Sequence, residues 1–242
     1  MDVKARYLRN LGALTEAECL ALRQKKVLVA GCGGLGGYLL EYLLRLGVGA
    51  ITACDGDVFE TGNLNRQLLS TPAVLGSSKA GEALRRAAEV NPEVCFQAVP
   101  EFLTRENAPA LLAGCDLALD ALDNVESRQM LARACAALNI PLVHGAIQGW
   151  YAQVAVIPPG CDLLDRLYPA GEPAAGDKSS LAFTPALCAA LQASEAVKLL
   201  CGRDSPLAGK LLCADLLNQD YEVLSLPKLG LKIDGAPSGE GF

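Results

Sequence analysis

The sequence predicts an α/β fold: a mostly parallel sheet with helices on both faces, closed by antiparallel strands near the C-terminal end. Three observations predict it. Short β-branched or apolar runs alternate with helical stretches through residues 26–144, the pattern of parallel strands joined by crossover helices. A glycine-rich turn separates the first of these strands from its helix. From Trp150 the pattern changes to period-two alternation and then to a long segment rich in Gly, Pro, Ala and Asp, which signals antiparallel pairing and a long loop.

Residues 1–24 read as an arm, Arg6-Tyr7-Leu8-Arg9-Asn10, followed by a helix that Thr15 caps with Glu18 three residues on. An α/β core is expected over 25–157. It opens with a strand at Lys26–Ala30, then Gly31-Cys32-Gly33-Gly34-Leu35-Gly36-Gly37 and an apolar helix from Tyr38 to Leu46. Next come a strand at Ile51–Cys54, a polar loop carrying Asp55, Asp57 and Asn63 to Gln67, and a helix over Ser78–Val90. Strands are expected at Val94–Val99, Leu117–Asp120 and Pro141–His144, with helices at Arg105–Leu112 and Val125–Leu138. Trp150–Ile157 alternates as an antiparallel strand should, and 158–180 reads as a long loop. Over 181–232 the expectation is an apolar helix, Pro185–Cys201, and a closing strand pair, Lys210–Asp215 and Tyr221–Leu226. Residues 233–242 form a weakly held tail.

Composition narrows the function. The chain has 242 residues, about half of them hydrophobic, which suits one large packed unit. A formal net charge of −6 argues against a broad electrostatic grip on nucleic acid. No apolar run reaches membrane-spanning length and the N-terminal residues carry no export signal, so the expected location is the cytoplasm. Ten cysteines are scattered singly with no Cys-x-x-Cys pair, and His144 is the only histidine; the cysteines read as small buried hydrophobes and no zinc is expected.

A glycine cluster between strand and helix lets a backbone approach phosphates and aims helix N-terminal amides at their charge. Gly31, Gly33, Gly34 and Gly36 supply that cluster in a Rossmann-like setting. An acid at the end of the next strand should take ribose hydroxyls, and Asp55 stands there. These features alone say only that a nucleotide binds. Asn63, Arg66 and Gln67 then place amides and a guanidinium beside it, Lys79 opens a helix, and Asp123-Asn124 follows a later strand. Cations converging on a phosphate chain, with Asp123 to hold magnesium, suit phosphoryl or nucleotidyl transfer and have no use in hydride transfer.

At these residues the sequence resembles the ThiF/MoeB/HesA family, bacterial relatives of ubiquitin-activating enzymes, over about 6–226. The markers are Arg-Tyr-x-Arg at 6–9, Gly-x-Gly-Gly-Leu-Gly at 31–36, Asp-x-Asp at 55–57, Asn-Leu-Asn-Arg-Gln at 63–67, Lys79 and Asp123-Asn124. The resemblance implies ATP and Mg2+ as cofactors, with adenylation of the C-terminal glycine of a ubiquitin-like sulfur carrier for molybdopterin or thiamine synthesis. It implies that Gly34 lies under the phosphates, that Asp55 binds ribose, and that Asn63, Arg66 and Lys79 contact the triphosphate. Asp123 would hold magnesium, and Arg9 would reach across a homodimer to the partner's ATP. The carrier's diglycine tail would thread under a crossover loop at 158–180.

The sequence departs from the family at several points. Molybdopterin-type members carry two Cys-x-x-Cys pairs for zinc, and here only Cys161 stands near the first. Asn10 replaces the usual glutamine of the arm. Residues 162–180 hold no cysteine, so adenylation alone is expected, with a separate sulfurtransferase delivering sulfur. Cys188 reads as core, Cys161 as the one exposed thiol, His144 as packed or hydrogen-bonded, and Trp150 as either packing or a lining of the tail groove. Competing readings are a different acceptor (a peptide or a modified tRNA base), a non-catalytic nucleotide-binding scaffold, and an NAD oxidoreductase.

Overall fold

In a computed structural model of the chain, residues 3–169 and 179–226 are described. The expected tail at 233–242 and most of the second half of the expected crossover loop lie outside them. Eight strands form one sheet: β1 (Lys26–Ala30), β2 (Ala50–Cys54), β3 (Cys95–Val99), β4 (Leu117–Asp120), β5 (Leu142–Gln148), β6 (Tyr151–Ile157), β7 (Leu211–Asp215) and β8 (Asp220–Leu224). Their order is β3-β2-β1-β4-β5-β6-β7-β8. Pairing is parallel from β3 to β5 and antiparallel from β5 to β8. The helices are α1 (Glu16–Leu22), α2 (Gly34–Leu46), α3 (Lys79–Val90), α4 (Ala108–Leu112), α5 (Val125–Ala137), α6 (Leu163–Leu167) and α7 (Phe183–Leu200).

Strand periodicity builds a core on each face. Val27 and Val29 of β1 face one cluster, which takes in Leu39, Leu40 and Leu43 of α2 and Cys188, Ala189 and Ala196 of α7. Leu28 and Ala30 face the other, with Leu112 of α4, Leu131 and Cys135 of α5 and Leu163 and Leu164 of α6. Because both faces of β1 and β4 are covered, these strands are apolar apart from Lys26 at the start of β1 and Asp120 at the end of β4, instead of alternating. Strand order reverses between β2-β1 and β4-β5, and in open α/β sheets ligands bind beyond the carboxyl ends of the strands at that reversal.

Several boundaries differ from the sequence expectation. Helix α2 begins at Gly34, four residues before Tyr38, because its glycines pack tightly against the preceding turn. Helix α4 begins at Ala108, not Arg105. Thr104 and Asn107 exchange side-chain and backbone hydrogen bonds that fix a turn there, and Pro109 tolerates only the first helical turn. Strand β5 runs past His144 to Gln148, since it continues as one arm of a hairpin with β6. Gly149 in that hairpin takes a φ of +55°, as a two-residue turn with glycine first requires. The expected loop over 158–180 carries α6, whose Leu163 and Leu164 are buried against the sheet.

Candidate functional site

The turn after β1 is built from close backbone contact. Gly31 takes a φ of +98°, and a Cβ there would lie 2.5 Å from the Ala121 carbonyl oxygen. A Cβ on Gly36 would lie 1.9 Å from the Gly31 carbonyl oxygen. Helix α2 starts at Gly34 with Gly33 as its N-cap, and no side chain takes up its first amides. Those amides and the helix dipole make a site for an anion such as a phosphate.

Asp55, just past β2, faces this turn. Its Oδ2 accepts from the Cys32 backbone N–H at 2.7 Å and its Oδ1 from the Asp57 N–H at 2.9 Å. Burial pushes the Asp55 carboxyl above the ordinary carboxylate value, against the pull of those two amides and of Lys79. Lys79 opens α3 behind the N-cap Ser78, with only 9% of its side chain exposed, and its Nζ pairs with Asp57 Oδ2 at 3.0 Å. Its backbone N–H also donates to the Asp57 carbonyl at 3.0 Å. Gln67 is buried, and its amide lies against Gly33, 3.5 Å from where a Cβ would be. The Gln67 Oε1 has no hydrogen-bond partner. An unpartnered buried acceptor, free helix amides and an enclosed lysine together fit a phosphorylated ligand carrying its own donors.

Asp123 stands on the other side of the strand-order reversal, just past β4, in the loop whose Ala121 touches Gly31. It is exposed, and its one hydrogen bond among the described residues is accepted by Oδ1 from Asn124 Nδ2 at 3.3 Å. Among the described residues no group of three or more His, Cys, Asp or Glu side chains could cage a metal ion. Magnesium commonly takes one or two protein carboxylates and completes its shell with phosphate oxygens and water, and Asp123 offers one exposed carboxylate.

Other expected residues are placed apart or are already occupied. Arg9 is exposed at the end of a 3-10 turn, Ala5–Asn10, and makes no hydrogen bond or ion pair with the described residues. Arg66 turns back on its own loop, donating to the Gly62 carbonyl at 2.7 Å and to Asn65 Oδ1 at 2.9 Å. Asn63 Oδ1 accepts from the Glu60 N–H at 3.0 Å, and Asn124 Oδ1 caps α5 through the Ser127 N–H at 2.9 Å. Trp150 is partly exposed and packs on Phe183, with ring centroids 5.1 Å apart. The thiol expectation needs correction: Cys161 is half-buried against apolar neighbours, and Cys95 is the exposed cysteine, because β3 is an edge strand. Cys188 is buried in the core, where desolvation pushes its thiol up to about 12.

Sequence reasoning missed a polar group under Asp123. Wholly buried Asp120 ends β4, and its Oδ2 meets His144 Nδ1 at 2.7 Å. Its Oδ1 accepts from the Leu122 N–H at 2.9 Å. Arg128 of α5 donates twice to the Leu122 carbonyl, at 3.1 and 2.7 Å, and once to the Tyr168 hydroxyl at 3.1 Å. His144 Nε2 lies 3.3 Å from that hydroxyl. Burial holds His144 below its ordinary value, although Asp120 pulls the other way. The neutral ring therefore donates from Nδ1 and accepts at Nε2. A charged residue at the end of an otherwise apolar strand, LALD, was the one signal in the sequence.

The family model described as "ThiF family" matches residues 7–230. A sulfur carrier protein adenylyltransferase of Thermus thermophilus is 37% identical over 216 residues, spanning 85% of this chain and 80% of that protein. The SAMP-activating enzyme E1 of Haloferax volcanii is 34% identical over 208 residues, 84% of this chain and 77% of its own. The molybdopterin-synthase adenylyltransferase of Escherichia coli is 33% identical over 211 residues, 85% of each. Among solved structures, E. coli MccB with ATP superposes with a TM-score of 0.77 at 21% identity, over 94% of this chain and 73% of that one, a likeness of fold.

Proposed function

The chain belongs to the ThiF family, and from that premise we propose that it is an ATP-dependent adenylyltransferase acting on a ubiquitin-like sulfur carrier. The reaction activates the carrier's C-terminal glycine carboxylate, for sulfur incorporation into molybdopterin or thiamine. The observation that carries the reading is the enclosed Lys79–Asp57 pair beside the glycine turn and Asp55, with Asp123 across the strand-order reversal.

In the proposed step one carboxylate oxygen of the carrier bonds to the α-phosphorus of ATP. The bond from that phosphorus to the α–β bridging oxygen breaks, and its electron pair leaves with pyrophosphate. A C-terminal carboxylate is already ionised near neutral pH, so no residue has to remove a proton. What the protein supplies is position and fixed positive charge for the phosphates. Amides of the α2 N-terminus hold phosphate oxygens, Asp55 takes ribose hydroxyls, and Gln67 accepts a hydrogen bond at its free Oε1. Lys79 exchanges part of its pairing with Asp57 for the phosphate chain, and Arg66 and Asn63 turn toward it from the next loop. Asp123 would hold magnesium, which would neutralise phosphate charge when bound. Arg9 belongs to a partner's site in a homodimer, a separate sulfurtransferase completes sulfur delivery, and the cytoplasm is the compartment.

ATP–pyrophosphate exchange with magnesium and a panel of Gly-Gly-terminated carriers tests this directly. Exchange is expected with one carrier, falling by about 10²–10³-fold in Lys79→Ala and in Asp123→Ala, the scale of removing one group that stabilises transition-state charge. ATP binding without exchange on any carrier would move the assignment to another acceptor or to a scaffold.

A further inference from the structure

The polar group beneath Asp123 closes into a ring. Tyr168 donates its hydroxyl proton to His144 Nε2, 3.3 Å away, and His144 Nδ1–H donates to Asp120 Oδ2 at 2.7 Å. Asp120 Oδ1 accepts the Leu122 N–H, the Leu122 carbonyl accepts Arg128, and Arg128 Nη1 donates back to the Tyr168 oxygen. Gln153 of β6 also donates to that oxygen, at 2.5 Å. Leu122 is thus held at both its N–H and its carbonyl, and the next residue is Asp123.

Two further contacts keep the ring in register. Gln129 Nε2 donates to the Tyr168 carbonyl at 2.9 Å, tying the end of α6 to α5, and the Arg128 guanidinium lies 5.8 Å from the Tyr168 ring centroid. The members come from β4, α5, β5, β6 and the residue after α6, so five parts of the fold meet in one ring, and its Asp120 and Arg128 hold the peptide groups on either side of Leu122. The ring grips the backbone directly beside Asp123, an exposed carboxylate just past β4 at the strand-order reversal. The geometry points to Tyr168 and Arg128 as positioning residues that fix the direction of the Asp123 carboxylate, and so set the affinity for the divalent cation that accompanies the nucleotide. The inference rests on the proposed role of Asp123.

The test measures the ion itself. Mn2+ replaces Mg2+, a nonhydrolysable ATP analogue is present, and the free ion is followed by electron paramagnetic resonance. Tyr168→Phe removes one oxygen and leaves the packing, and Arg128→Lys supplies a second variant that cannot reach Leu122 and Tyr168 together. Each is expected to bind Mn2+ roughly tenfold more weakly than wild type, the lower end of what losing a group that orients a metal ligand costs. Arg133→Ala, farther along α5 and paired among the described residues only with Asp165 at the surface, is expected to bind as wild type does. In exchange assays the two ring variants should need more Mg2+ for half-maximal rate, with the KM for carrier unchanged. Wild-type Mn2+ affinity in both ring variants overturns the inference, as does a wild type that binds Mn2+ no better than Asp123→Ala. Failure of the adenylation reading looks different: wild type binds Mn2+ with nucleotide but supports no exchange with any carrier.

Discussion

Lys79 and His144 show how burial sets what a titratable group does here. Lys79 keeps 9% of its side chain exposed, and its charge is met by one half-exposed carboxylate, Asp57, a pairing loose enough to be shared with a phosphate. His144 has no exposure at all and is held neutral by desolvation, so its effect is on stability. The unfolded chain takes up a proton at about pH 6.5, whereas the native His144, with its value depressed, resists it. Below that pH the unfolded state therefore binds more protons, and stability falls as pH is lowered through the window beneath about 6.5. Glu41 and Asp116, whose carboxyls are held low by Arg86 and Arg45 and by Lys25 respectively, lose their contributions only nearer the carboxylate range. As His144 is the only histidine, Tm measured from pH 8 to 5 should fall on the acid side, with a shallower fall in His144→Asn, whose amide can still donate to Asp120. Parallel slopes for the two proteins would show that the histidine is not the acid-sensitive group.

At the scale of elements, legibility follows chain locality. The strand, glycine turn, helix and acid of 26–55 could be read because each lies within a few residues of the next and local backbone demands choose the residue type. The capping box at Thr15 and Glu18 was readable for the same reason. What could not be read is assembled across the fold: β5 is extended by its hairpin partner, and α6 is ordered by two leucines on a sheet face that no local pattern announces. The Asp120 ring joins residues up to 48 positions apart with no shared period. The β1–α2 junction gives the sharpest element-level prediction. A methyl at Gly36 would sit 1.9 Å from a backbone oxygen that has no rotamer to yield, so the junction must separate. Gly36→Ala is expected to cost on the order of 3 kcal/mol in urea unfolding, the upper end of ordinary overpacking, and to weaken ATP binding. Gly62→Ala, where nothing lies within 4 Å, is the matched control and should unfold as wild type does.

At the scale of the molecule, the site has its anion-binding turn, acid and lysine from one protomer, but one expected cation stays outside it. Arg9 sits exposed at the end of the N-terminal 3-10 turn with no partner among the described residues, although the neighbouring Tyr7 is buried and bonded to Asn91. The turn is thus anchored on one side and presents its arginine outward. From that placement Arg9 is proposed to complete the nucleotide site of a second copy. If the sites of a homodimer are shared in this way, two inactive variants should repair each other. Arg9→Ala keeps an intact pocket but offers nothing to its partner, whereas Lys79→Ala offers an intact Arg9 but has a damaged pocket. In a mixed dimer the pocket of the first protomer receives the arginine of the second and is complete, while the other pocket lacks both groups. With equal amounts and free exchange of subunits, half the dimers are mixed and each carries one working site of two. Exchange activity should then return to about one quarter of wild type, as closed two-fold symmetry dictates. Activity that stays at the level of the separate variants, under conditions where subunits are shown to exchange, would mean that Arg9 does not act across a dimer.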